Sequence, residues 1–356
     1  MKINLLLNPA NRSWIIQKIA ERLADELRPL GVQVSITDLP DPQADLVHHM
    51  SWAFANIKTQ QPSTMFITHL DDLYKLNQVR STLTGAVRVG ICMSSDTLSQ
   101  LKAHHCNADS LYFISPAHDG LIQARRIVIG ITSRVYADGR KREALLREVA
   151  GRMGLSAFTF RIFGLGWEPT IETLREAGAQ VEYFGESDDF RKDYEVLQAA
   201  IPHFDYYLYL GMDEGSLGTL DALAAGLPTI ITPQGFHLDL PHGMTYPVVS
   251  GNDLLKVLTD LAAQRQLRIN AVAGLTWGHY AQRHLALWRA ITQGLPLPPL
   301  PDAPEAHGID LAALVEQRQR QVAANARSPR RMLSAISRLP GLRTLRRWVD
   351  RARKVA

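Results

Sequence analysis

Residues 206–232 read YYLYLGMDEGSLGTLDALAAGLPTIIT. The apolar run Tyr206–Leu210 predicts a buried strand, and the acids and glycines that begin at Asp213 predict a loop. A helix of small residues then ends at Gly226, and Pro228 opens a second strand. Because a strand, a helix and a strand in succession form a parallel pair with a crossover, this stretch predicts an α/β fold.

The same alternation of apolar runs and helical patterns extends over most of the chain. It runs from Lys2 to Pro116, restarts at Arg126 and continues to Thr232, and residues 252–292 then have helical patterns. Two consecutive doubly wound units joined near residues 117–125 account for this order. We therefore expect an N-terminal domain over residues 1–122, a second domain over 123–275, a closing helix over 276–293, a Pro-rich linker over 294–308 and a basic tail over 309–356.

The composition is that of a globular protein of about two domains. The chain has 356 residues, of which 46% are hydrophobic and 21% are charged. Its two cysteines, Cys92 and Cys106, are too few for a disulfide framework and predict buried thiols in a reducing compartment. No apolar stretch approaches the roughly 18 residues of a membrane span, so we expect no transmembrane helix. The reducing compartment that the cysteines indicate is taken to be the cytoplasm.

The positive charge is concentrated in the tail. Residues 327–356 contain ten Lys or Arg side chains and one acid, although the net charge of the whole chain is only +4. After Gly341 the spacing of Leu342, Leu345 and Trp348 predicts a short basic amphipathic helix. An anionic membrane surface is the partner that this pattern favours. Folding back onto residues 1–326, which have a net negative charge, is the alternative. Nucleic acid is disfavoured because one aromatic residue offers no stacking platform.

The loop that begins at Asp213 follows a strand and precedes a helix. Backbone amides at a helix N-terminus favour phosphate, and carboxylates in such a loop can accept hydrogen bonds from sugar hydroxyls. A purely structural role for this loop and helix stays open, since any α/β protein has Gly-containing loops and small-residue helices that pack on sheets.

Several segments together are similar to the retaining GT-B glycosyltransferases of family four. EGSLGTLDALAAGLPTIIT resembles the signature of that family, and GITSRVYADGRKREALL at Gly130–Leu146 resembles its diphosphate-binding element. FRIFGLG, VEYFGES, TMFITHLDDL and TWGHYAQRHLALWRAI resemble further elements in the same order, over roughly residues 60–292. The resemblance implies a GT-B fold: two Rossmann-like doubly wound domains facing across a cleft, here followed by a helical basic C-terminal tail.

The resemblance also implies roles for single residues. Arg134 and Lys141 would neutralise the leaving diphosphate, Asp221 would bind the donor ribose, and Glu214 would bind hydroxyls of the donor sugar. His69, at a strand end, would contact the transferred sugar or the acceptor. The remaining implied contacts are with the donor nucleotide: Phe184, Gly185 and Glu186 beside the base, and backbone amides from Gly215, Ser216, Leu217 and Gly218.

Two departures from the family pattern affect this interpretation. The family places seven residues between its two acids, whereas six separate Glu214 from Asp221 and seven separate Asp213 from Asp221. Either Asp213 or Glu214 can therefore be the first acid, and Glu214 is preferred because Gly215 follows it. The segment NPANRSWIIQKI, from Asn8, also lacks the Gly-Gly loop that many members place after the first strand.

No metal and no cofactor are expected. The histidine groups, such as His104-His105-Cys106, lack the paired spacing of metal sites and are better explained as surface or packed side chains. GLGWEP at Gly164–Pro169 has proline where a dinucleotide-binding fingerprint needs its third glycine. A nicotinamide cofactor is therefore disfavoured.

The sequence thus predicts a retaining, hexosyltransferase-type glycosyltransferase at the inner face of a membrane. It would take a nucleoside diphosphate sugar as donor and a lipid-linked or polysaccharide acceptor, as in lipopolysaccharide synthesis. Two alternatives stay open: a catalytically weak GT-B-like subunit that binds glycan or nucleotide, and a sugar-nucleotide epimerase.

Overall fold

Two parallel six-stranded sheets form the framework of the chain. The computed structural model describes residues 1–12, 14–57, 59–300 and 311–326. The chain divides into two units, one made of Met1–Gly120 with the described residues from Gly274 onward and the other of Leu121–Ala273. The predicted amphipathic helix within residues 327–356 lies outside the described residues.

The elements alternate between strands and helices, as the sequence pattern predicts. The strands are β1 (Lys2–Leu6), β2 (Gln33–Thr37), β3 (Leu46–His49), β4 (Ser63–Ile67), β5 (Val89–Cys92), β6 (Leu111–Phe113), β7 (Ile127–Thr132), β8 (Phe158–Phe163), β9 (Gln180–Phe184), β10 (Tyr206–Tyr209), β11 (Thr229–Ile231) and β12 (Tyr246–Pro247). The helices are α1 (Ile15–Leu27), α2 (Leu73–Gly85), α3 (Ser95–Ala103), α4 (Ala144–Ala150), α5 (Glu168–Glu176), α6 (Phe190–Ala200), α7 (Leu217–Ala224), α8 (Gly251–Asn270), α9 (Trp277–Gln293) and α10 (Leu311–Ala326).

The strand orders confirm two doubly wound domains. The first sheet has the order β2-β1-β3-β4-β5-β6, and the second has the order β12-β11-β10-β7-β8-β9. Read from its other edge, the second order is that of a Rossmann dinucleotide-binding sheet. The predicted class of two Rossmann-like domains, the components of a GT-B fold, is therefore correct.

The order of the second sheet also locates its binding edge. From β7 the chain proceeds outward through β8 and β9, and then returns to β10 on the other side of β7. In register, Tyr206 of β10 lies beside Ile129 of β7, and Thr132 at the end of β7 lies beside Phe163 at the end of β8. Ligands of open α/β sheets bind at the carboxyl ends of the strands where the order reverses, which here are the ends of β7 and β10.

Burial explains why these segments form strands and helices. Every residue of β3, β4 and β5 is buried, as expected for strands covered on both faces. Helix α1 buries Ile19, Leu23 and Leu27 along one face, and α9 packs against α1 with Trp288 in the same apolar core. Cys92 and Cys106 are buried free thiols. Among the described residues, no helix is both long and apolar enough to cross a bilayer.

Three buried histidines lie in the first domain, His48 and His49 on β3 and His284 on α9. His48 Nδ1 lies 2.8 Å from Thr64 Oγ1, which also accepts a hydrogen bond of 3.1 Å from Trp288 Nε1. Burial lowers the pKa of His49 and of His284 to about 4, and it lowers the pKa of His48 well below its usual value. All three rings are therefore neutral at neutral pH.

These rings predict a loss of stability in mild acid. The unfolded chain protonates its histidines near pH 6.5, whereas the folded rings of His49 and His284 stay neutral down to about pH 4. The unfolded state thus binds more protons in this window, and the free energy of unfolding falls as the pH is lowered from about 6.5 to about 4. Urea midpoints measured across this range should fall, and they should fall less steeply in His284→Phe.

The matched control is His279→Gln on the same helix, where the side chain is exposed. This variant should keep the pH dependence of the unaltered chain. A urea midpoint that does not change between pH 6.5 and 4.5 would contradict the burial of neutral rings.

Candidate functional site

A pocket of about 670 Å³ opens at the carboxyl-end edge of the second sheet. Its wall is formed by residues that follow β7, β8 and β9 and by the first turns of α6. Phe184 stacks on Phe163 with ring centroids 4.5 Å apart, and Phe190 stacks on Tyr194 at 5.9 Å. Phe184 is 37% exposed, so part of its ring remains available to a planar ligand. The volume and the aromatic lining are those of a small-molecule site.

Arg134 and Glu186 place a charged pair in the same pocket. The Nε and Nη2 atoms of Arg134 donate to the two carboxylate oxygens of Glu186 in a bidentate arrangement. The Arg134 side chain is 56% exposed, and an ion pair at such a position contributes little stability. A phosphate group, which accepts the same fork of N–H donors, can therefore compete with Glu186 for Arg134.

Lys141 belongs to a second and more buried network, which joins the loop after β7 to the loop after β10. Its Nζ donates to Asp213 Oδ2 at 2.6 Å and to the Tyr209 hydroxyl oxygen at 2.7 Å. The Tyr209 hydroxyl donates to Asp213, and the Gly215 amide donates to Asp213 Oδ1 at 3.2 Å. Only 13% of the Lys141 side chain is exposed.

The charge state of Asp213 follows from these contacts. Burial alone would raise its pKa, but hydrogen bonds from Lys141, Tyr209 and the Gly215 amide outweigh burial and hold the pKa below its usual value. Burial and the neighbouring carboxylate raise the pKa of Tyr209. Asp213 is therefore an ionised acceptor whose capacity is largely used within the chain.

Glu214, the preferred first acid, is placed differently. Its side chain is exposed and has no hydrogen bond or ion pair with the part of the chain that the structure describes. Its backbone oxygen accepts from the Phe236 amide at 3.1 Å, which anchors the loop. Gly215 follows with φ of +110°, and a Cβ there would lie 2.7 Å from the Phe236 ring. The loop thus turns sharply at Gly215 and leaves the Glu214 carboxylate free.

The start of α7 is fastened to the sheet by hydroxyl groups. Tyr207 OH lies 2.8 Å from Thr132 Oγ1 and 2.9 Å from Ser216 Oγ. A Cβ on Gly218 would lie 2.0 Å from Thr132 Oγ1, so only glycine allows this approach of helix to strand. Leu217, at the first position of the helix, is exposed.

His237 is a buried structural residue of the site. The sequence interpretation grouped it with Asp239 and His242 and explained the group as surface or packed side chains, without a role in the site. The Nε2 atom of His237 accepts from the Ser216 amide at 3.2 Å and lies 3.0 Å from Thr219 Oγ1. Its Nδ1 lies 3.0 Å from the Thr232 carbonyl oxygen, and because Nε2 accepts, Nδ1 carries the proton and donates. A lone histidine in a loop gives no sequence signal for this role, which depends on contacts made across the fold.

The structure brings most of the predicted site residues to this edge, with different availability. Phe184, Glu186 and Arg134 line the pocket, and Lys141 is paired with Asp213. Of the four amides predicted to bind the donor, two donate within the chain: that of Gly215 to Asp213 and that of Ser216 to His237.

Two predicted residues stand apart from these contacts. Asp221 lies in the second turn of α7, half-buried, and its carboxylate has no hydrogen-bond partner among the residues described. His69 is an exposed residue of the first domain, two positions after β4. Within the described part of the chain, no group of three or more His, Cys, Asp or Glu side chains is arranged to hold a metal ion.

Comparisons with known proteins found likenesses among solved structures. No protein-family model and no curated protein matches the chain. The chain is similar to Anabaena HepE in complex with UDP and glucose, at 14% identity and a TM-score of 0.30, with 91% of this chain and 100% of that chain covered.

Two further solved structures show similar values. For the lipopolysaccharide outer core galactosyltransferase WaaB the identity is 13% and the TM-score 0.34, with 83% of this chain and 100% of that chain covered. For a glycosyltransferase from Rickettsia africae the identity is 12% and the TM-score 0.33, with coverages of 82% and 98%. The strand orders of the two sheets establish the architecture, and the residues of the site indicate its chemistry.

The close approach at Gly218 predicts a specific sensitivity. In Gly218→Ala the added methyl group must displace Thr132 or Tyr207, which should cost about 1–3 kcal/mol of unfolding free energy. The control is Gly154→Ala in the same domain, where a Cβ meets no atom within 4 Å. Chemical denaturation of both variants measures the difference. Equal stability of the two variants would contradict the packing of α7 on β7.

Proposed function

We propose that the chain is a glycosyltransferase that moves a sugar from a nucleoside diphosphate donor to an acceptor. The observation that carries this proposal is the pocket beside the switch point of a Rossmann-type sheet, which combines a half-exposed aromatic ring at Phe184 with a guanidinium at Arg134. A nucleoside diphosphate contains a partner for each of these groups: a planar base for the aromatic ring and a diphosphate for the guanidinium.

The donor fits this edge in a definite order. The base stacks at Phe184, the diphosphate replaces Glu186 at Arg134, and the sugar extends toward the loop that carries Glu214. As the glycosidic bond breaks, negative charge grows on the departing diphosphate, and Arg134 and Lys141 stabilise that charge. In this proposal the two cations stabilise the departing diphosphate, and the mechanism includes no metal ion.

The two acids have separate roles in this proposal. Glu214 binds hydroxyls of the donor sugar because its carboxylate is exposed and uncommitted. Asp221 binds the ribose from the second turn of α7. Asp213 instead holds Lys141 in place, since its oxygens already accept three hydrogen bonds.

The finer features of the reaction are also part of the proposal. We infer retention of anomeric configuration and a hexosyl donor from the motif resemblance, with His69 on the first domain contacting the sugar or the acceptor. The ten basic residues between 327 and 356 support an acceptor at an anionic membrane surface, lipid-linked or polysaccharide. The enzyme would then work as a peripheral protein at the inner membrane face.

A nucleotide panel tests the donor site. With UDP, GDP, TDP, CMP, ADP and NAD, we expect a thermal shift with one nucleoside diphosphate, since ligand at 100 times Kd stabilises by about 2.7 kcal/mol. Phe184→Ala should reduce the shift, and Tyr74→Ala, an exposed aromatic of the first domain, should not. The absence of any shift in the folded protein would favour the non-catalytic binding subunit, and a shift with NAD alone would contradict the donor assignment.

The acids are separated by a matched pair of substitutions. Glu214→Gln should lower sugar transfer by about 100-fold, on the scale of a lost transition-state contact, with the melting temperature unchanged. Asp213→Asn should lower the melting temperature, because Lys141 keeps its charge in a largely buried position with a weaker partner. Transfer assays and thermal melts of both variants measure the contrast. Full transfer by Glu214→Gln, together with loss of transfer by a stable Asp213→Asn, would assign the role of first acid to Asp213.

A further inference from the structure

A separate cavity of about 340 Å³ lies at the amino ends of the strands of the second sheet. It lies at the amino end of β7, beside Ile127, and at the start of β10, beside Tyr206. The C-terminal half of α8 closes it through Leu261 and the arginines that follow. Its volume is within the range of small-ligand pockets, about 300–1,000 Å³. The candidate donor site is at the carboxyl ends of the strands, so the two cavities belong to opposite edges of one sheet.

Four arginines and a single carboxylate line this cavity. The arginines are Arg125 and Arg126 just before β7, and Arg265 and Arg268 on one face of α8; the carboxylate is that of Asp205. Guanidinium groups stay protonated at all accessible pH values, so their mutual repulsion cannot be relieved by loss of a proton. The cavity therefore has a fixed excess of positive charge.

The contacts within the cavity leave most of that charge uncompensated. Asp205 accepts from Arg125 and, through Oδ2, from the Val128 amide at 2.8 Å, so its carboxylate is already engaged. Arg265 donates from Nε to the Arg125 carbonyl at 2.8 Å and from Nη2 to the Ala124 carbonyl at 3.0 Å, which are neutral acceptors.

Arg126 and Arg268 are the two arginines of the cavity whose charge is not compensated. Neither side chain has a hydrogen bond or ion pair with any residue described in the structure. Arg268 extends from α8 one turn after Arg265, and Arg126 precedes β7 directly, so their free N–H groups border the same cavity. Two uncommitted forks of donors in a concave site match an anion that accepts several hydrogen bonds at once.

We propose that this arginine cavity is a binding site for a phosphate-bearing anion, distinct from the donor site. A phosphate monoester or diphosphate has a charge near −2 or more negative and offers three or more acceptor oxygens, which fits the excess charge better than a single carboxylate does. A lipid headgroup and a free phosphate compound share this chemistry.

Binding of inorganic pyrophosphate by the full-length chain tests the site directly. In Arg134→Ser, where the donor site is weakened, adding Arg126→Ser and Arg268→Ser should lower the calorimetric affinity for pyrophosphate at least tenfold. Hydrogen exchange should show pyrophosphate protection of residues 121–128 and 261–270 that Arg126→Ser/Arg268→Ser lacks. Arg134→Ser, on the other edge of the sheet, should retain that protection. Arg175→Ser removes an exposed arginine of α5 that does not line the cavity and should bind as the unaltered chain does.

Vesicles distinguish the two sources of phosphate. Co-sedimentation of the same variants with vesicles of phosphatidic acid in phosphatidylcholine, against phosphatidylcholine alone, measures headgroup binding while the basic tail is present in every variant. A tenfold loss in the vesicle assay alone identifies a headgroup site, and a loss with pyrophosphate alone identifies a soluble phosphate ligand. If the double substitution changes binding by less than twofold in both assays, or if Arg175→Ser loses as much, the proposal is overturned. Thermal melts of the double variant should be no lower than those of the unaltered chain, because neither arginine has a hydrogen bond or ion pair to lose and their removal relieves repulsion among the arginines.

Discussion

The ion pair between Lys141 and Asp213 connects the loop after β7, which contributes Arg134 to the pocket, with the acidic loop after β10. Lys141 follows β7 and Asp213 follows β10, the strands between which the order of the second sheet reverses. Tyr209 donates to the same carboxylate from the end of β10, and the Gly215 amide donates to it from the next turn. Since all four groups lie on one network, the position of the acidic loop depends on the charge of Lys141.

This network divides the chemistry among neighbouring acids. A carboxylate that is largely buried beside a cation is stable only while it is ionised and paired. The primary role of Asp213 is therefore structural. Glu214 is the next residue, yet the turn at Gly215 leaves its carboxylate in solvent. Commitment of one acid to the fold is what leaves the other available to a ligand.

Periodicity and turn residues were sufficient to predict the α/β class and the two doubly wound units. Apolar runs predicted β7 and β10, because strands that are covered on both faces consist of consecutive hydrophobic residues. The two-residue strand β12 was not predicted, since so short a segment has no period of its own. For the site, the motif resemblance pointed to Arg134, Lys141 and the acidic loop, but it could not show that Asp213 binds Lys141.

Long-range contacts explain what the sequence could not show. The histidine in PQGFHLD becomes an anchor of α7 only because β11 and the loop after β10 converge on it, with Ser216 and Thr232 hydrogen-bonded to its two ring nitrogens. The arginine cavity is assembled from residues about 140 positions apart, such as Arg125 and Arg265. No local pattern records such a convergence, because it depends on which strand ends meet at one edge of a sheet.

The two cations of the candidate donor site differ in how readily a ligand can use them. Arg134 is more than half exposed, so water already screens its pair with Glu186 and a phosphate can replace that carboxylate at little cost. Lys141 is largely buried, and loss of Asp213 would leave its charge without a partner. A donor is therefore expected to exchange partners at Arg134 and to approach Lys141 with Asp213 still in place. In the proposed mechanism the buried cation would act through its field on the charge that develops on the leaving group, without having to be freed first.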